Sequence, residues 1–242
     1  MTAVTYTRYE LLRTFRNRRF FVFSLVFPLA LFYVIAGSNR HAHLGGIPFP
    51  TYYMGGMAAW GTMIGVTAGG ARIALERQVG WNRQLRLTPL RPATYLGAKV
   101  ASGYALAAVS LMLIYIAGLT LGVHATAGIW LSMTALIIVA LVPFAVLGVY
   151  IGHRVSVDSM GPALGGMTSL LALAGGAWGP LAQHGFMHTL MQLVPSYWLV
   201  QAGQAYGDGP NWPLGAWAVI AGWTVVLGVL AMRAWRRDTG RL

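Results

Sequence analysis

The chain lacks cysteine entirely, and among its 242 residues it has only five acidic residues and a single lysine. Without cysteine there is no disulfide framework, thiolate metal site or thiol nucleophile. Charged residues make up 9% of the sequence, whereas soluble domains carry about 25%. Because 57% of the residues are hydrophobic, a soluble core of this size could not hide them. Lipid is therefore the solvent that the composition indicates.

Motifs of catalysis and energy conversion are absent as well. The sequence has no Gly-x-x-x-x-Gly-Lys-Ser/Thr loop for ATP phosphates, no His-Glu-x-x-His and no Gly-x-Ser-x-Gly. Its apolar stretches hold no Asp or Glu at their centres, which argues against ion-coupled carriers and intramembrane proteases. No charged ring or carbonyl filter of an ion pore is recognisable. We therefore predict no catalytic, cofactor-binding or metal-binding residue in this chain.

What the chain does have is six apolar stretches, each about long enough to cross ~30 Å of hydrocarbon as a helix. They cover residues 20–37, 52–70, 98–122, 129–151, 160–181 and 214–232. With the N-terminus inside, sixteen of the seventeen Lys and Arg residues fall on one side, and only Arg40 falls on the other. This positive-inside bias predicts six spans with both termini in the cytoplasm.

The net charge of +12 would also fit a nucleic-acid partner. The basic residues, however, lie beside the predicted spans and not along one soluble face, so we interpret them as cytoplasmic anchors and predict no nucleic-acid binding. Residues 1–19 combine apolar positions at helical spacing with several arginines. This pattern predicts an amphipathic helix that lies on the membrane surface and contacts its lipids.

The polar segment 71–95 joins the second and third predicted spans. Within it, Trp81, Leu85 and Thr88 share a face of a helix-compatible stretch. That stretch must end at Thr88, because Pro89 disfavours helix in the residue before it. A simple turn between spans needs only about 2–8 residues. The extra length therefore predicts a short amphipathic helix that contacts a soluble partner.

Small residues and short apolar runs mark the last third of the chain. Gly161 and Gly165, and likewise Ala172 and Gly176, are four residues apart, which allows close helix approach. Packing within one subunit and a mobile or subunit-facing helix that lines a route both fit this pattern. Residues 182–213 are predicted to lie outside as a re-entrant region of two short helices, 186–193 and 196–206, because neither is long enough to cross.

Two groups of residues resemble motifs of the type-2 ATP-binding-cassette (ABC) export permeases. The groups are Glu76-Arg77-x-x-Gly80 with Leu85, Thr88-Pro89-Leu90 and Gly97-x-Lys99, and Leu193-x-Pro195-Ser196-Tyr197-Trp198. In that family the first group belongs to the loop that carries the coupling helix, and the second lies between two short outer helices. Trp81 stands where the family usually has Thr. The amphipathic N-terminus, six spans and inner tails extend the likeness over the whole chain.

The resemblance implies an all-α integral membrane protein with one permease domain over residues 1–242, in the plasma (bacterial inner) membrane. Such permeases work in pairs, as two copies or two related chains, with two ATP-binding subunits that hold ATP and Mg. The chain itself is then a transport subunit and no enzyme. The implied cargo is a hydrophobic or amphiphilic drug, antibiotic, lipid, lipid-linked glycan or peptide, so multidrug efflux is included. The implied ATPase-coupling residues are Glu76, Arg77, Gly80, Trp81, Leu85, Thr88 and Pro89.

Alternatives stay open at this point. Glu76 would either accept hydrogen bonds from a basic partner surface or pair with Arg72 or Arg77 in its own helix. The whole chain would alternatively be a passive pore or membrane scaffold that is not coupled to ATP. A third class is a membrane enzyme acting on lipids, for which the sequence offers only three scattered histidines near the interfaces, His153, His184 and His188.

Overall fold

The structure is a computed structural model that describes residues 3–16, 18–81, 92–179, 184–204 and 206–239. Its helices are α1 (Ala3–Arg16), α2 (Arg18–Ser38), α3 (Phe49–Ala71), α4 (Ile73–Gln78), α5 (Pro92–Thr120), α6 (Ala127–Ala140), α7 (Val142–Arg154), α8 (Val157–Ala174), α9 (Phe186–Gln192), α10 (Pro195–Ala202) and α11 (Leu214–Thr239). A small antiparallel hairpin of β1 (His43–Leu44) and β2 (Ile47–Pro48) joins α2 to α3. Apart from this hairpin, the described residues agree with the predicted all-α fold.

Helices lie over all six apolar stretches of the sequence. Among the described residues, three helical segments are long and apolar enough to cross a membrane: Pro92–Thr120, Ala127–Arg154 and Leu214–Asp238. These segments are α5, α6 together with α7, and most of α11, which supports an all-α membrane protein. Crossing by α2, α3 and α8, and hence the number of six spans, stays a prediction.

Prolines set two of the helix boundaries. Helix α6 gives way to α7 at Leu141, and Pro143 occupies the first turn of α7, where a missing N–H costs no helical hydrogen bond. The short helices α9 and α10 agree with the two that the sequence predicts between the fifth and sixth stretches. Pro195 begins α10 for the same reason, and this helix ends at Ala202, earlier than predicted.

Helix α3 lies at the centre of the bundle. Nearly all of its 23 residues are buried, and it packs against α2, α5, α7, α8 and α10. Its contact with α5 needs glycine on both helices: a Cβ added at Gly69 would lie 2.5 Å from the Cα of Gly103. A Cβ added at Gly103 would lie 2.6 Å from the carbonyl oxygen of Val66. Small residues here allow the two backbones to approach closely.

We call the two ends of the bundle the basic end and the distal end. At the basic end, α1, α4 and the first turns of α5 meet the last turns of α7 and α11, and side chains of all five helices are joined by ion pairs. At the distal end, α10 packs against the beginning of α3 and the end of α8, and α9 packs against α10. A Cβ added at Gly55 would lie 2.5 Å from the carbonyl oxygen of Gly203, just after α10.

Helix α1 is amphipathic, as the sequence predicts. Its polar side faces the bundle, because Glu10 and Thr14 are buried, while Val4 and Leu12 are exposed. The helix therefore docks on the protein through polar groups and keeps Val4 and Leu12 on its outer side, and its contact with lipid stays a prediction.

The small residues of α8 separate into two groups. Ala172 is buried within the chain. Gly176 lies beyond the end of α8 with a φ of +79°, so it closes the helix in a left-handed conformation and does not form a packing pair with Ala172. A Cβ added at Gly161 or Gly165 would meet nothing within 4 Å. These two glycines are therefore not used for packing within this chain.

The glycine contact between α3 and α5 can be tested with Gly103→Ala. The added methyl would overlap the Val66 carbonyl, so we expect a loss of about 1–3 kcal/mol in the free energy of unfolding. Gly222→Ala in α11 is the matched control, because a Cβ there meets nothing within 4 Å and alanine favours helix by up to about 1 kcal/mol. In one detergent, the melting temperature should therefore fall for Gly103→Ala and rise for Gly222→Ala. Equal melting temperatures for the two variants would contradict the close α3–α5 contact.

Candidate coupling site

Glu76 is the centre of a side-chain cluster at the basic end. The residue lies in α4 and is only 1% exposed. Its carboxylate accepts hydrogen bonds from Lys99 Nζ at 2.6 Å, Tyr95 OH at 2.6 Å and Arg13 Nη1 at 2.7 Å. Tyr95 and Lys99 belong to α5, and Arg13 belongs to α1. One carboxylate thus connects the short helix α4 to two other helices.

Lys99, the only lysine of the chain, is fully buried between two carboxylates. Its Nζ lies 2.6 Å from Oε1 of Glu10 in α1 and 2.6 Å from Oε1 of Glu76. An ammonium taken out of water costs several kcal/mol unless opposite charge and hydrogen bonds replace the water. The Tyr95 ring adds a cation–π contact, with its centroid 5.4 Å from Nζ. We call Glu10, Arg13, Glu76, Tyr95 and Lys99 the Lys99 cluster.

Helical spacing brings the members of this cluster together. Tyr95 and Lys99 are four residues apart and Glu10 and Arg13 are three apart, so each pair shares one side of its helix. Thr14, four residues after Glu10, donates a hydrogen bond to the Glu10 carbonyl at 2.8 Å. Its hydroxyl also accepts one from Arg72, the residue that joins α3 to α4.

Burial affects the titratable groups beside the cluster. Burial raises the pKa of the Tyr6 hydroxyl, and the nearby carboxylates of Glu76 and Glu10 raise it further. Burial also lowers the pKa of Arg72. The carboxylate of Glu10 opposes this effect, since it is the strongest of the influences that raise the pKa. Buried charges interact more strongly than charges at the surface.

A second cluster holds α4 from its other side. Arg77 Nε lies 2.7 Å from Oδ2 of Asp238 in α11, and Arg77 Nη1 donates to the Gly152 carbonyl of α7 at 3.2 Å. His153 Nδ1, also in α7, lies 3.0 Å from the same Asp238 oxygen. We call Arg77, His153 and Asp238 the Asp238 cluster. It is partly exposed, so each of its pairs contributes less to stability than a buried pair that has lost its water.

The predicted coupling residues fall into three groups. Glu76 and Arg77 are placed in the two clusters. Gly80 and Trp81 follow α4: Gly80 has a φ of +69° with open space around it, and Trp81 is 38% exposed. Leu85, Thr88 and Pro89 lie outside the described residues. The coupling role of all seven stays a prediction.

Three interpretations of single residues need correction. Direct contact of Glu76 with a partner surface does not fit its position, because the buried carboxylate is bound by Arg13, Tyr95 and Lys99 of this chain. Arg77 does not pair with Glu76 in α4 but with Asp238. The interpretation of Lys99 as a cytoplasmic anchor is wrong, since the side chain is enclosed. One sequence feature could have indicated the buried position of Lys99. It is the single lysine, at the beginning of an apolar stretch, in a chain whose other basic residues are arginines.

The structure also locates the residues predicted for the outer region and the histidines of the alternative lipid-modifying enzyme. Tyr197 and Trp198 are buried in α10, and Trp198 Nε1 donates to the Gln192 carbonyl at 2.8 Å. His153 lies at the basic end, whereas His188 lies in α9 at the distal end, so the histidines of a lipid-modifying site are not assembled. The described residues contain no group of three or more His, Asp or Glu side chains that could hold a metal ion.

Three described helical segments long and apolar enough to cross a membrane, with ion pairs gathered at one end of the bundle, define an all-α membrane protein. No family model matches the chain. Over 208 residues the chain is 27% identical to the Bacillus subtilis (strain 168) protein named "Putative transport permease YvfS", and the likeness covers 84% of this chain and 85% of that protein. This similarity is consistent with a type-2 ABC permease and indicates a membrane permease subunit and not an enzyme.

The Lys99 cluster predicts the effect of Lys99→Met. The variant leaves the buried Glu10 and Glu76 without their shared cation, so we expect a loss of about 3–5 kcal/mol in the free energy of unfolding. Adding Glu10→Gln and Glu76→Gln to it should recover part of that loss, because the buried charges are then removed together. Arg154→Met, an exposed change at the same end, should stay within about 0.5 kcal/mol. Thermal unfolding in detergent measures all three, and a Lys99→Met protein as stable as Arg154→Met would refute the cluster.

Proposed function

We propose that this chain is the permease subunit of an ATP-driven type-2 exporter, with its basic end in the cytoplasm of the plasma membrane. The assembly contains two permease chains, identical or related, and two ATP-binding subunits. The observation that carries the proposal is the attachment of α4 to four other helices: ion pairs join it to α1, α5 and α11, and a hydrogen bond from Arg77 joins it to α7. A short helix in a polar connection needs no such attachment unless its position matters to the bundle.

The energy source lies in another subunit, because the sequence has no phosphate-binding loop. The surface that would receive this subunit follows α4. Val79 is 71% exposed and Trp81 is 38% exposed, although both are apolar and lie at the polar end of the bundle. Exposed apolar side chains surrounded by polar ones are typical of protein interaction surfaces. Val79 and Trp81 therefore form the docking surface.

Glu76 and Arg77 act one step behind this surface as positioning residues. A displacement of Val79 and Trp81 moves α4, and the Lys99 cluster passes the movement to α1 and α5. The Asp238 cluster passes it to α7 and α11. Separating a buried charge from its partner costs about 3–5 kcal/mol, so α1 and α5 follow α4 more readily than they part from it. The partly exposed Asp238 cluster holds α7 and α11 less tightly.

The cargo is a hydrophobic or amphiphilic compound. The apolar stretches contain no acidic residue at their centres, so the middle of the bundle offers no carboxylate with which to bind a small cation in the membrane. A passive pore or scaffold is the alternative, and it predicts transport that is indifferent to ATP.

Docking and transmission can be separated by two variants. Val79→Asp places a charge on the docking surface, so the ATP-binding subunit should no longer copurify with a tagged chain. Glu76→Gln leaves that surface unchanged, so the subunit should copurify normally, but cargo should no longer stimulate ATP hydrolysis. Protein levels in the membrane provide the normalisation. Loss of copurification in Glu76→Gln but not in Val79→Asp would reverse the assignment, and the absence of any ATP-hydrolysing subunit from the wild-type assembly would end it.

The turn after α4 gives a test with a matched control. Gly80 and Gly122 both have positive φ values, +69° and +85°, and both are surrounded by open space. Valine at either position strains the backbone in the same way, by about 1–2 kcal/mol. We expect Gly80→Val to lower ATP-dependent export of a fluorescent amphiphile from vesicles by about tenfold or more. Gly122→Val, in the connection between α5 and α6, should export normally. Equal export by the two variants would contradict a coupling role for the turn.

A further inference from the structure

A cavity of about 190 Å³ lies at the distal end, where α3, α8, α9 and α10 meet. Pockets for whole drug-sized ligands usually measure about 300–1,000 Å³. The cavity is therefore large enough for one end of an amphiphile but not for a complete one. Its polar lining consists of Tyr52, His188, Tyr197, Gln201, Gln204 and Tyr206.

The walls of the cavity are fixed by backbone contacts. Gly55 in α3 abuts Gly203, and a Cβ added at Gly175 would lie 2.6 Å from the carbonyl oxygen of Ser196. Both pairs attach α10 to a long helix through glycine, where no flexible side chain intervenes. Tyr197 is held between two perpendicular rings, with centroids 5.7 Å from His188 and 5.1 Å from Trp198. The cavity is thus preformed, as ligand sites usually are.

The lining selects for an uncharged group. None of the described lining residues is Asp, Glu, Lys or Arg, so an ion entering the cavity would lose water without gaining an opposite charge. The amides of Gln201 and Gln204 and the hydroxyls of Tyr52 and Tyr206 both donate and accept hydrogen bonds. Such groups match hydroxyls and amides, and the tyrosine rings offer flat apolar surface beside them.

The surface beside the cavity is suited to an apolar tail. Helix α9 contributes His188 and Met191 to the lining, while its other side exposes Phe186, Met187 and Leu190. A molecule with its polar end in the cavity can lay an alkyl chain along these three side chains and the adjoining lipid.

We propose that this distal cavity binds the uncharged, hydroxyl- or amide-bearing head group of an amphiphile, while its tail lies on the exposed side of α9. As a cargo site this rests on the export function proposed above. The binding itself does not, since it needs neither nucleotide nor a second subunit.

The test uses the full chain in lipid nanodiscs without nucleotide. The probe is radiolabelled octyl glucoside, and we expect saturable binding at one site per chain. Gln201→Leu keeps the side-chain size but removes the amide, so the affinity should fall about tenfold or more. Val200→Phe fills the cavity and should abolish saturable binding. Asn211→Leu is the matched control, because Asn211 is exposed in the same region but does not line the cavity.

The competitors distinguish the kinds of ligand. Unlabelled octyl glucoside should compete, and free glucose should compete only weakly, because it lacks the tail. Glucose competing as well as octyl glucoside would assign the cavity to a free sugar and overturn the amphiphile. Octyl trimethylammonium or octyl sulfate competing more strongly than octyl glucoside would overturn the neutral head group. Binding that does not saturate, or that Gln201→Leu leaves unchanged in a variant with normal thermal unfolding, would overturn the site.

Failure of this proposal is distinguishable from failure of the export function. A chain whose ATPase partner is stimulated by amphiphiles, but which shows no saturable glucoside binding, retains the export function and loses the cavity proposal. A chain that binds octyl glucoside in the cavity but has no ATP-hydrolysing partner retains the binding site and loses the export function.

Discussion

A buried ammonium group must be matched by negative charge, and this constraint organises the basic end of the molecule. Lys99 Nζ lies within 2.6 Å of carboxylates from two different helices, so α1, α4 and α5 are fixed relative to one another. The close approach of α3 to α5 at Gly69 and Gly103 places the end of α3 beside the same cluster. In a membrane bundle, where apolar packing between helices gains little over lipid, such polar contacts set the arrangement of the helices.

Two neighbouring residues of α4, Glu76 and Arg77, contact two different sets of helices. Glu76 contacts α1 and α5, whereas Arg77 contacts α7 and α11, so α4 lies between both sets. Helix α3 continues from this region to the distal end, where Tyr52 and Gly55 line the cavity. A ligand there and a partner at Val79 and Trp81 would thus act on opposite ends of one largely buried helix, which gives the proposed cargo and coupling sites a direct mechanical connection.

The sequence allows the helices to be predicted, since each depends on a local run of apolar residues and on prolines such as Pro143 and Pro195. The polar side of α1 could likewise be assigned from helical spacing. The two clusters could not, because their members are far apart in the chain: Arg13 and Glu76 are 63 residues apart, and Glu10 and Lys99 are 89 apart. Local patterns identify Glu76 as unusual in a chain with few acids, but only the fold shows that its partners are intramolecular.

If the Lys99 cluster transmits the movement of an ATP-binding subunit, α1 and α4 should move as one body when the proposed assembly binds nucleotide. Because the chain has no cysteine, spin labels can be attached to Tyr9→Cys on α1 and Gln78→Cys on α4, both exposed positions, without removing a native thiol. The distance between these labels should be the same with and without a non-hydrolysable ATP analogue, while the distance between Gln78→Cys labels on the two permease chains should change. A nucleotide-dependent change of several ångströms between α1 and α4 of one chain would contradict the account.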